Sequence, residues 1–447
     1  MNNFRKLKFG FANLLMLGNF EKEAEDMAVK LSDDAKKYLK EKLGVELYSN
    51  LAAITNLDEA RLEADYFRKN DIDALILFNG TFSLSNLMIE IIRNTNVPVL
   101  AWGLDEYLID KNILAGSMIG LMPVGMICRD IKRSFSFAYG DVKSSKLREK
   151  LSNFVSAVNA IVYMKTSKIG LIGSRPDGFE ISGFDELAIK RVFGSTINKI
   201  SISELLNMID CIKDDEIKDD TNIQNKLYDI KIDAAGVKNL SRVYIALKRI
   251  VGNYGINSYA PQCWPELRMT RKTPMCAANG RLSAEGIMAS CETDMDCTLT
   301  MLMLYSLTGS TPWTADFVNY IEKNDSLLFW HCGNAPYTLS DEKPKIEVVF
   351  EGPAQTASLR EGDVTVCRIN HQGDSFKIFA GLGRAIKNKP MLKGSNMFVR
   401  MNIGNMNFVE DMLEEAVPHH NVLVYGDATE KIREFGKFTG VPVIIKK

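Results

Sequence analysis

The sequence predicts an α/β protein in which two doubly wound parallel-sheet regions precede a β-rich, barrel-like C-terminal region. Strand-like and helix-like stretches alternate over the N-terminal part of the chain, which is typical of βαβ units with helices on both faces of a parallel sheet. From about Asp341 onward, short β-rich segments separated by Gly and Asn turns replace this alternation. That change favours an antiparallel sheet or barrel.

The N-terminal part shows the clearest alternation. Predicted strands and helices follow one another at Leu7–Leu17, Glu21–Leu43, Ala74–Phe78, Leu84–Arg93 and Val97–Trp102. Because open α/β sheets bind ligands at the carboxyl ends of their strands, the turns Asn79-Gly80-Thr81 and Trp102-Gly103-Leu104-Asp105 are candidate ligand loops. We assign residues 1–166 to a first domain.

A second α/β region begins at Lys168–Ser174, an apolar strand that runs into a Gly/Ser turn. The helix Asp185–Phe193 and a strand near Ile197–Ile202 follow it. The acidic stretch Asp214–Gln224 is interpreted as a solvated helix or loop. We assign residues 167–309 to this second domain.

The glycines at the start of this second region do not specify a dinucleotide site. Gly170, Gly173 and Gly178 lack the G-x-G-x-x-G spacing that lets the backbone approach a pyrophosphate. A nicotinamide cofactor is therefore not expected.

The C-terminal part is predicted to be mainly β-structure, and we assign residues 310–447 to this third domain. Gly and Asn turns separate its short strands. The predicted elements are the strands Lys345–Phe350, Asp363–Asn370, Ser375–Ala380, Asn396–Asn402 and Asn421–Tyr425, the helix Ala428–Phe438 and the strand Val441–Ile445.

Composition excludes several classes of partner. The chain has 447 residues, of which 46% are hydrophobic and 25% charged, and its formal net charge is −1. A chain without an excess of positive charge is not expected to bind nucleic acid or an anionic membrane surface. No run approaches the roughly 20 apolar residues that span a bilayer, and Met1–Lys8 lacks the apolar core of a secretion signal. A cytoplasmic protein is predicted.

The eight cysteines form no C-x-x-C pair. In a long cytosolic chain such cysteines are reduced, packed thiols. A zinc ribbon and a disulfide scaffold are therefore not expected.

Histidine is scarce, with four in the chain. Two of them, His419 and His420, follow Pro418 and precede the apolar strand Asn421–Tyr425. Adjacent side chains of an extended segment point in opposite directions, so at most one of this pair is expected to face a given site. The residues alone leave open whether either is a ligand or both are surface histidines.

Carboxylates are concentrated at Cys291–Cys297, between an apolar strand-like segment and a helix. Helix N-termini favour negative charge, so Asp294 or Asp296 is a candidate N-cap. Glu292, which leaves a buried strand, is equally well placed to bind a hard cation. Both interpretations stay open at this point.

Two further segments carry candidate polar groups. Asp316 lies among apolar and aromatic neighbours, where an unpaired charge is costly and a cation or a proton would relieve it. The alternative is a surface turn with Asp316 as an N-cap. His331 and Asn334 follow an apolar strand, at a position that suits a substrate contact, although a core histidine is the competing interpretation.

Taken in order, these segments resemble the L-fucose isomerase and L-arabinose isomerase superfamily, most closely its fucose isomerase-like branch. The resemblance rests on seven segments and is best from about residue 255 to 447. They are Ala260–Trp264, Ala284–Asp294, Leu307–Asp316 with Phe329–Asn334, Val366–Asn370 with Phe379–Gly381, and Val417–Gly426.

The resemblance implies a metal-dependent aldose–ketose isomerase of the L-fucose or D-arabinose type, acting through an enediol. Glu292, Asp316 and His420 match the metal positions, and the two carboxylates double as the proton-transfer pair. Such mixed carboxylate and imidazole ligands suit Mn²⁺ and do not exclude Co²⁺ or Mg²⁺. The residues expected to hold substrate hydroxyls are Gln262, His331, Asn334 and His419.

The chain departs from the family pattern in two ways. It is shorter than a typical fucose isomerase, and the aromatic residue that walls the sugar ring has no clear match, Phe398 being the nearest candidate. The second Glu of the four-ligand arabinose branch falls near Gly333 or Asn334, so the three-ligand site fits better.

The family pattern also implies a homo-oligomer, a trimer, tetramer or hexamer, in which a neighbouring subunit's N-terminal domain closes the pocket through the Asn79-Gly80-Thr81 or Trp102 loop. Two alternatives remain. One is an isomerase of a modified hexose such as sulfoquinovose, for which Arg268, Arg271 and Lys272 are candidate cations. The other is a non-catalytic sugar-binding protein.

Overall fold

The computed structural model describes residues 4–18 and 21–447. Met1–Asn3, part of the segment predicted to lack a secretion signal, lies outside the described residues. The chain divides into two compact units, one running to Val162 and including Arg433–Gly440, the other containing Tyr163–Ile432 and Val441–Lys447. No helix in the described ranges is long and apolar enough to cross a bilayer.

The first unit contains a five-stranded parallel sheet of order β2-β1-β3-β4-β5. Alternate residues of its central strands pack into two separate apolar clusters, one on each face, which explains their nearly continuous apolar sequence. The elements are β1 (Lys8–Leu14), α1 (Lys22–Leu43), β2 (Glu46–Tyr48), α2 (Leu57–Lys69), β3 (Ala74–Asn79), α3 (Ser85–Arg93), β4 (Val99–Gly103), α4 (Ser117–Asp130), β5 (Phe135–Tyr139) and α5 (Ser145–Thr166).

One predicted ligand loop of this unit is partly wrong. Asn79 ends β3, so Gly80 and Thr81 form a turn at the carboxyl edge as expected. Trp102, however, lies inside β4, where it is fully buried and donates from Nε1 to the carbonyl of Gly140. Its apolar ring is part of the core.

The second unit begins with a four-stranded parallel sheet of order β10-β9-β6-β7. The predicted second α/β region is therefore confirmed. Its elements are β6 (Lys168–Ile172), α6 (Glu186–Phe193), β7 (Thr196–Ile200), α7 (Ile202–Cys211), α8 (Lys218–Leu227), β8 (Asp229–Ile230), α9 (Ala234–Tyr254), β9 (Ser258–Pro261), α10 (Cys276–Ala284), β10 (Met288–Ala289) and α11 (Met295–Thr308).

The rest of the second unit is a ten-stranded sheet that includes β8 and closes on itself, because β16 pairs with both β15 and β17. The barrel strands follow the order β16-β15-β18-β11-β12-β17, which confirms the predicted barrel. The remaining elements are β11 (Trp313–Ile321), β12 (Ser326–His331), β13 (Lys345–Val349), β14 (Gly352–Ser358), β15 (Gly362–Gln372), β16 (Ser375–Ile386), β17 (Ser395–Met401), α12 (Asn405–Glu414), β18 (His420–Tyr425), α13 (Thr429–Thr439) and β19 (Val443–Lys446). The residues of α13 from Arg433 onward belong to the first unit.

Strand β11 was not expected, and the alternative of a surface turn at Asp316 is wrong. Trp313 and Ala315 are buried, and β11 pairs with both β12 and β18. The pairing partners are distant in sequence, so the local pattern did not reveal the strand. The division of this unit into domains at residues 309 and 310 remains a proposal.

Candidate metal centre and active site

Glu292 lies in a strained turn between β10 and α11. Glu292 and Thr293 have φ angles of 55° and 54°, a left-handed conformation that side-chain-bearing residues rarely adopt. The backbone N–H of Thr293 donates to the carbonyl of Pro261 at 3.2 Å, and that of Asp294 donates to Cys291 at 2.9 Å. Consecutive strained residues of this kind are typical of functional sites, where the surrounding structure holds them in place.

The carboxylate of Glu292 is held by one residue and faces another. The indole N–H of Trp264 donates to Oε1 at 3.0 Å. Oε2 lies 3.3 Å from Nε2 of His420. One oxygen is thus fixed by the protein, and the other points towards the histidine.

Asp316 approaches the same nitrogen from the barrel. Asp316 on β11 and His420 on β18 are directly opposite each other in an antiparallel pairing. Oδ1 of Asp316 lies 3.3 Å from Nε2 of His420. The structure therefore brings together the three residues that the family resemblance assigned to the metal.

The other nitrogen of His420 is bound by Asp294. Nδ1 lies 2.8 Å from Oδ2 of Asp294, which accepts a hydrogen bond from the imidazole. Asp294 is also the N-cap of α11, since its Oδ1 accepts from the backbone N–H of Cys297 at 2.9 Å. The capping interpretation of Asp294 is thus correct, and the same carboxylate orients the imidazole. Sequence reasoning missed this second role.

His419 and His331 also lie close to His420. The ring centroids of His419 and His420 are 4.3 Å apart, and Nε2 of His419 lies 3.9 Å from Oδ1 of Asp316. His331 ends β12 and stacks on His420 at 5.9 Å. At most one of the two adjacent histidines was expected to face the site, and this is wrong. His419 lies before β18, so its side chain does not follow the alternation of directions along that strand.

Electrostatics in the site favour ionised carboxylates. Burial alone would raise the pKa of Glu292, but the hydrogen bond to His420 and its charge lower it to about 2. Burial likewise opposes ionisation of Asp294, yet the charge of Arg368 and the bond to His420 hold its pKa well below the usual range. Both groups are therefore anions at neutral pH.

The surroundings shift the pKa values of the three histidines in different directions. Burial lowers the pKa of His420, but the bonds to Asp294 and Glu292 outweigh it and raise the pKa to about 10. For His331, burial is outweighed by the bond to Cys332 and the charge of Asp316, which raise its pKa to about 9. Burial and then the charge of His420 lower the pKa of His419. A positive charge is thus stabilised between Glu292 and Asp316.

The amides predicted to bind substrate are engaged within the protein. Oε1 of Gln262 accepts from the backbone N–H of Ser174 at 2.8 Å, and Nε2 donates to Glu266 at 2.5 Å. Gly173, with φ 85°, allows this approach because a Cβ there would lie 2.7 Å from the Cβ of Gln262. Oδ1 of Asn334 accepts from the Trp313 indole at 2.9 Å. A substrate role for Gln262 and Asn334 remains a proposal.

Other candidate groups are held elsewhere. Arg271 pairs with Asp210 at 2.6 Å, and the guanidinium of Arg268 lies 4.2 Å from the centre of the Phe350 ring. Phe398, the candidate wall of the sugar site, is fully buried in β17.

One aromatic side chain beside the site belongs to a segment in which the sequence analysis named no site residue. Phe179 packs edge-on against Trp264, with ring centroids 5.3 Å apart, and against His419, at 6.3 Å. Phe179 follows β6 at the carboxyl edge of its sheet, so its position after the strand was the signal that could have found it.

The arrangement fits a divalent cation. His420 takes part in three groups of possible ligand atoms, which also include Glu292 with His419, Asp316 with His331, and Asp294 with Cys297. Oδ1 of Asp316 and Nε2 of His331 are buried and accept or donate no hydrogen bond among the described residues. Buried polar atoms are normally satisfied, and a cation would satisfy the carboxylate oxygen of Asp316. Carboxylate oxygen and imidazole nitrogen are donors that Mn²⁺, Co²⁺ and Mg²⁺ accept to different degrees.

The chain is similar to known sugar isomerases over most of its length. No protein-family model matches the chain. It is 24% identical over 396 residues to the sulfoquinovose isomerase of Priestia aryabhattai, covering 86% of this chain and 88% of that protein. It is 22% identical over 434 residues to the L-arabinose isomerase of Oceanobacillus iheyensis, covering 90% of this chain and 89% of that protein.

These homologues confirm the predicted resemblance to the L-fucose isomerase and L-arabinose isomerase superfamily over most of the chain. The predicted enzyme class is confirmed as well, because the named homologues are sugar isomerases, that is, intramolecular oxidoreductases that interconvert aldoses and ketoses.

Among solved structures, the chain is similar to an ABC-transporter solute-binding protein of Burkholderia multivorans, with 12% identity over 67% of this chain and 93% of that one. The TM-score of 0.19 is too low to support any argument for the sugar-binding alternative.

Proposed function

We propose that this protein is a metal-dependent aldose–ketose sugar isomerase whose site is built around Glu292, Asp316 and His420. The observation that supports it is the convergence of two carboxylates on one imidazole nitrogen, each at 3.3 Å. The three residues come from separate segments of the chain. A receptor that only binds sugar has no need of such a set.

The donor set suits Mn²⁺, with Glu292, Asp316 and His420 as ligands and His331 and His419 close by. When bound, the cation would act as a Lewis acid that stabilises the negative charge developing on the sugar oxygens. We propose Mn²⁺ as the native metal, ahead of Co²⁺ and Mg²⁺.

Interconversion of an aldose and a ketose moves a proton between C1 and C2 through an enediol, and general bases within hydrogen-bonding reach are required. Glu292 is ionised at neutral pH, and Trp264 fixes its Oε1 while Oε2 faces the site. Oδ1 of Asp316 faces the same region and makes no hydrogen bond among the described residues. The two carboxylates are the proposed proton-transfer pair: the proton that leaves C2 is added at C1, and the proton of the C2 hydroxyl passes to the C1 oxygen.

The remaining groups orient the sugar. His419 is the most exposed of the neighbouring polar side chains, at 42%, and its lowered pKa keeps it neutral, so it can both accept and donate hydrogen bonds. Nε2 of His331 is buried and without a hydrogen-bond partner among the described residues, so it can bind a hydroxyl. We propose both as substrate contacts, together with Gln262 and Asn334 after local rearrangement of their amides.

The proposed substrate is one of four aldoses. L-fucose and D-arabinose follow from the resemblance of the site residues. The names of the homologues add sulfoquinovose and L-arabinose. A sulfonated hexose needs a cation near the pocket, and Arg268 and Arg271 are engaged elsewhere. We propose that such a cation would be Lys272 or would come from a neighbouring subunit of a cytoplasmic homo-oligomer.

The deciding experiment measures ketose formation from L-fucose, D-arabinose, L-arabinose and sulfoquinovose by the purified protein. The panel is run as purified, after chelation with EDTA and dialysis, and after addition of Mn²⁺, Co²⁺ or Mg²⁺. We expect turnover of one sugar type, lost on chelation and restored most fully by Mn²⁺. Turnover that survives complete removal of metal would refute the metal-dependent mechanism. Binding of a sugar without turnover would favour the sugar-binding alternative.

A further inference from the structure

Arg368 is a buried charged residue next to the proposed site, and it is not one of the proposed ligands. It lies in the middle of β15, its side chain is 1% exposed, and it is among the largest fully buried side chains. Its Nη1 and Nη2 donate to the two oxygens of Asp294 at 2.8 and 3.0 Å. Burying a guanidinium is costly unless it is paired in this way.

Two further bonds hold β15 against α11 just after Arg368. The backbone N–H of Ile369 donates to Oγ1 of Thr300 at 2.9 Å, and that of His371 donates to Asp296 at 3.0 Å. The strand therefore presents Arg368 to Asp294 in one fixed position. This rigidity matters because a bidentate pair requires planar alignment of both groups.

His420 offers a cation two sides. On the Nε2 side are Glu292 and Asp316, whereas on the Nδ1 side are Asp294 and Cys297. The Nδ1 side has the ligand types of a metal site, and its atoms are close enough together for one. The guanidinium of Arg368 already lies there, since Nη1 is 2.8 Å from Asp294 and 2.9 Å from Sγ of Cys297.

We propose that Arg368 is a positioning residue that fills the Nδ1 side of His420 and holds Asp294, so that the divalent cation binds on the Nε2 side with Glu292 and Asp316. The inference rests on the proposed function, because it concerns where the metal of that site binds. Because Nδ1 of His420 is bound to Asp294, Nε2 is the nitrogen left to bind the cation, in exchange for its proton. Arginine suits this role since it does not lose its charge and cannot leave as an ion does.

The test is a Co²⁺ titration of the metal-free protein, followed by visible and near-ultraviolet absorption and by calorimetry. Arg368→Met removes the charge and keeps much of the length of the side chain. Its Co²⁺ affinity is expected to fall by about 10- to 100-fold, the usual effect of losing a group that orients a ligand. A thiolate-to-cobalt charge-transfer band is expected to appear as the ion gains access to Cys297. The double variant R368M/C297S should lose the band.

Two further variants distinguish the loss of the positioning role from unfolding of the protein. Arg368→Lys keeps the charge without the bidentate fork, so its Co²⁺ affinity should lie between those of the wild type and Arg368→Met. Arg384→Met is the matched control, because Arg384 forms an exposed ion pair with Asp363 on the same hairpin. It should bind Co²⁺ as the wild type does. If Arg368→Met does not fold, the Lys variant alone decides, since its affinity must fall.

A folded Arg368 variant with unchanged Co²⁺ affinity would overturn the positioning role. Lower affinity without a thiolate band would overturn the part of the inference that concerns the Nδ1 side. A wild-type protein that binds no Co²⁺ is a different result, because it would contradict the proposed metal-dependent function itself.

Discussion

Asp316 and His420 are paired directly across β11 and β18, and their side chains approach to 3.3 Å between Oδ1 and Nε2. Sheet register alone therefore sets the spacing of two of the proposed ligands, because directly opposed residues lie on the same face of an antiparallel pair. Glu292 reaches the same nitrogen from a turn outside the barrel. The site thus depends on how the helix α11 and its preceding turn pack on the barrel.

Replacing the Glu292 carboxylate should abolish most of the activity. Glu292→Gln keeps the size and an acceptor for Trp264 but removes the charge and the proposed base. We expect turnover to fall by about 10²- to 10⁴-fold, with weaker Mn²⁺ binding by calorimetry. Glu322→Gln, the same change at an exposed residue, is the control. A Glu292→Gln enzyme with the wild-type rate would contradict the assignment.

The indole of Trp264 should matter through its N–H. Trp264→Phe keeps an aromatic ring against Phe179 and removes the hydrogen bond to Oε1 of Glu292. Hydrogen bonds to charged groups contribute about 1.5–3 kcal/mol, so kcat/KM should fall by roughly 10- to 100-fold. Thermal unfolding of the variant checks that it is folded. An unchanged kcat/KM in a folded variant would show that Glu292 needs no such support.

Gly280 should not tolerate a side chain, although it lies in a helix. A Cβ at this position of α10 would lie 2.8 Å from the carbonyl oxygen of Asn334 and closer still to that of Ala335, both of them backbone atoms. Gly280→Ala is therefore expected to destabilise the protein by about 1–3 kcal/mol, measured by denaturant unfolding.

The matched substitution is Gly252→Ala in α9, where a Cβ meets nothing within 4 Å. This change should stabilise the protein by up to about 1 kcal/mol, the usual preference for Ala over Gly in a helix. Equal effects of the two substitutions would contradict the close packing of α10 on the segment that follows His331.

His371 should make stability depend on pH. Its pKa is raised by the hydrogen bond from Nδ1 to Asp296, and then by the charge of that carboxylate against the effect of burial. Because the folded-state pKa is raised, the stabilisation is fully present below the unfolded pKa of about 6.5 and is lost as the pH rises through the folded pKa. The charge of Arg368 acts in the opposite direction, and that of Asp294 adds to the effect.

The measurement compares the free energy of unfolding of the wild type and His371→Gln. Their difference should be larger at about pH 6 than at about pH 9. A difference that does not change with pH would show that the ion pair contributes nothing. His371 is 32% exposed, so added salt should weaken the effect at the lower pH.

Much of the fold follows from local pattern. Apolar segments such as Ala74–Phe78 predicted strands that are indeed central in their sheets, because a strand covered on both faces needs a continuous apolar run. The N-cap at Asp294 was likewise visible as a carboxylate at a helix start. Strand β11 was missed, because Asp316 interrupts its apolar pattern and its partners lie elsewhere in the chain.

The sequence by itself determined the two kinds of sheet, the strand-to-helix turn that carries Glu292 and, through family resemblance, the set of candidate ligands. Only the tertiary structure decided that Asp294 binds His420, 126 residues away, and that Arg368 binds Asp294 across 74 residues. The reason is physical. Periodicity records which side chains are buried, but the free energy of a buried charge depends on the partners that folding brings to it.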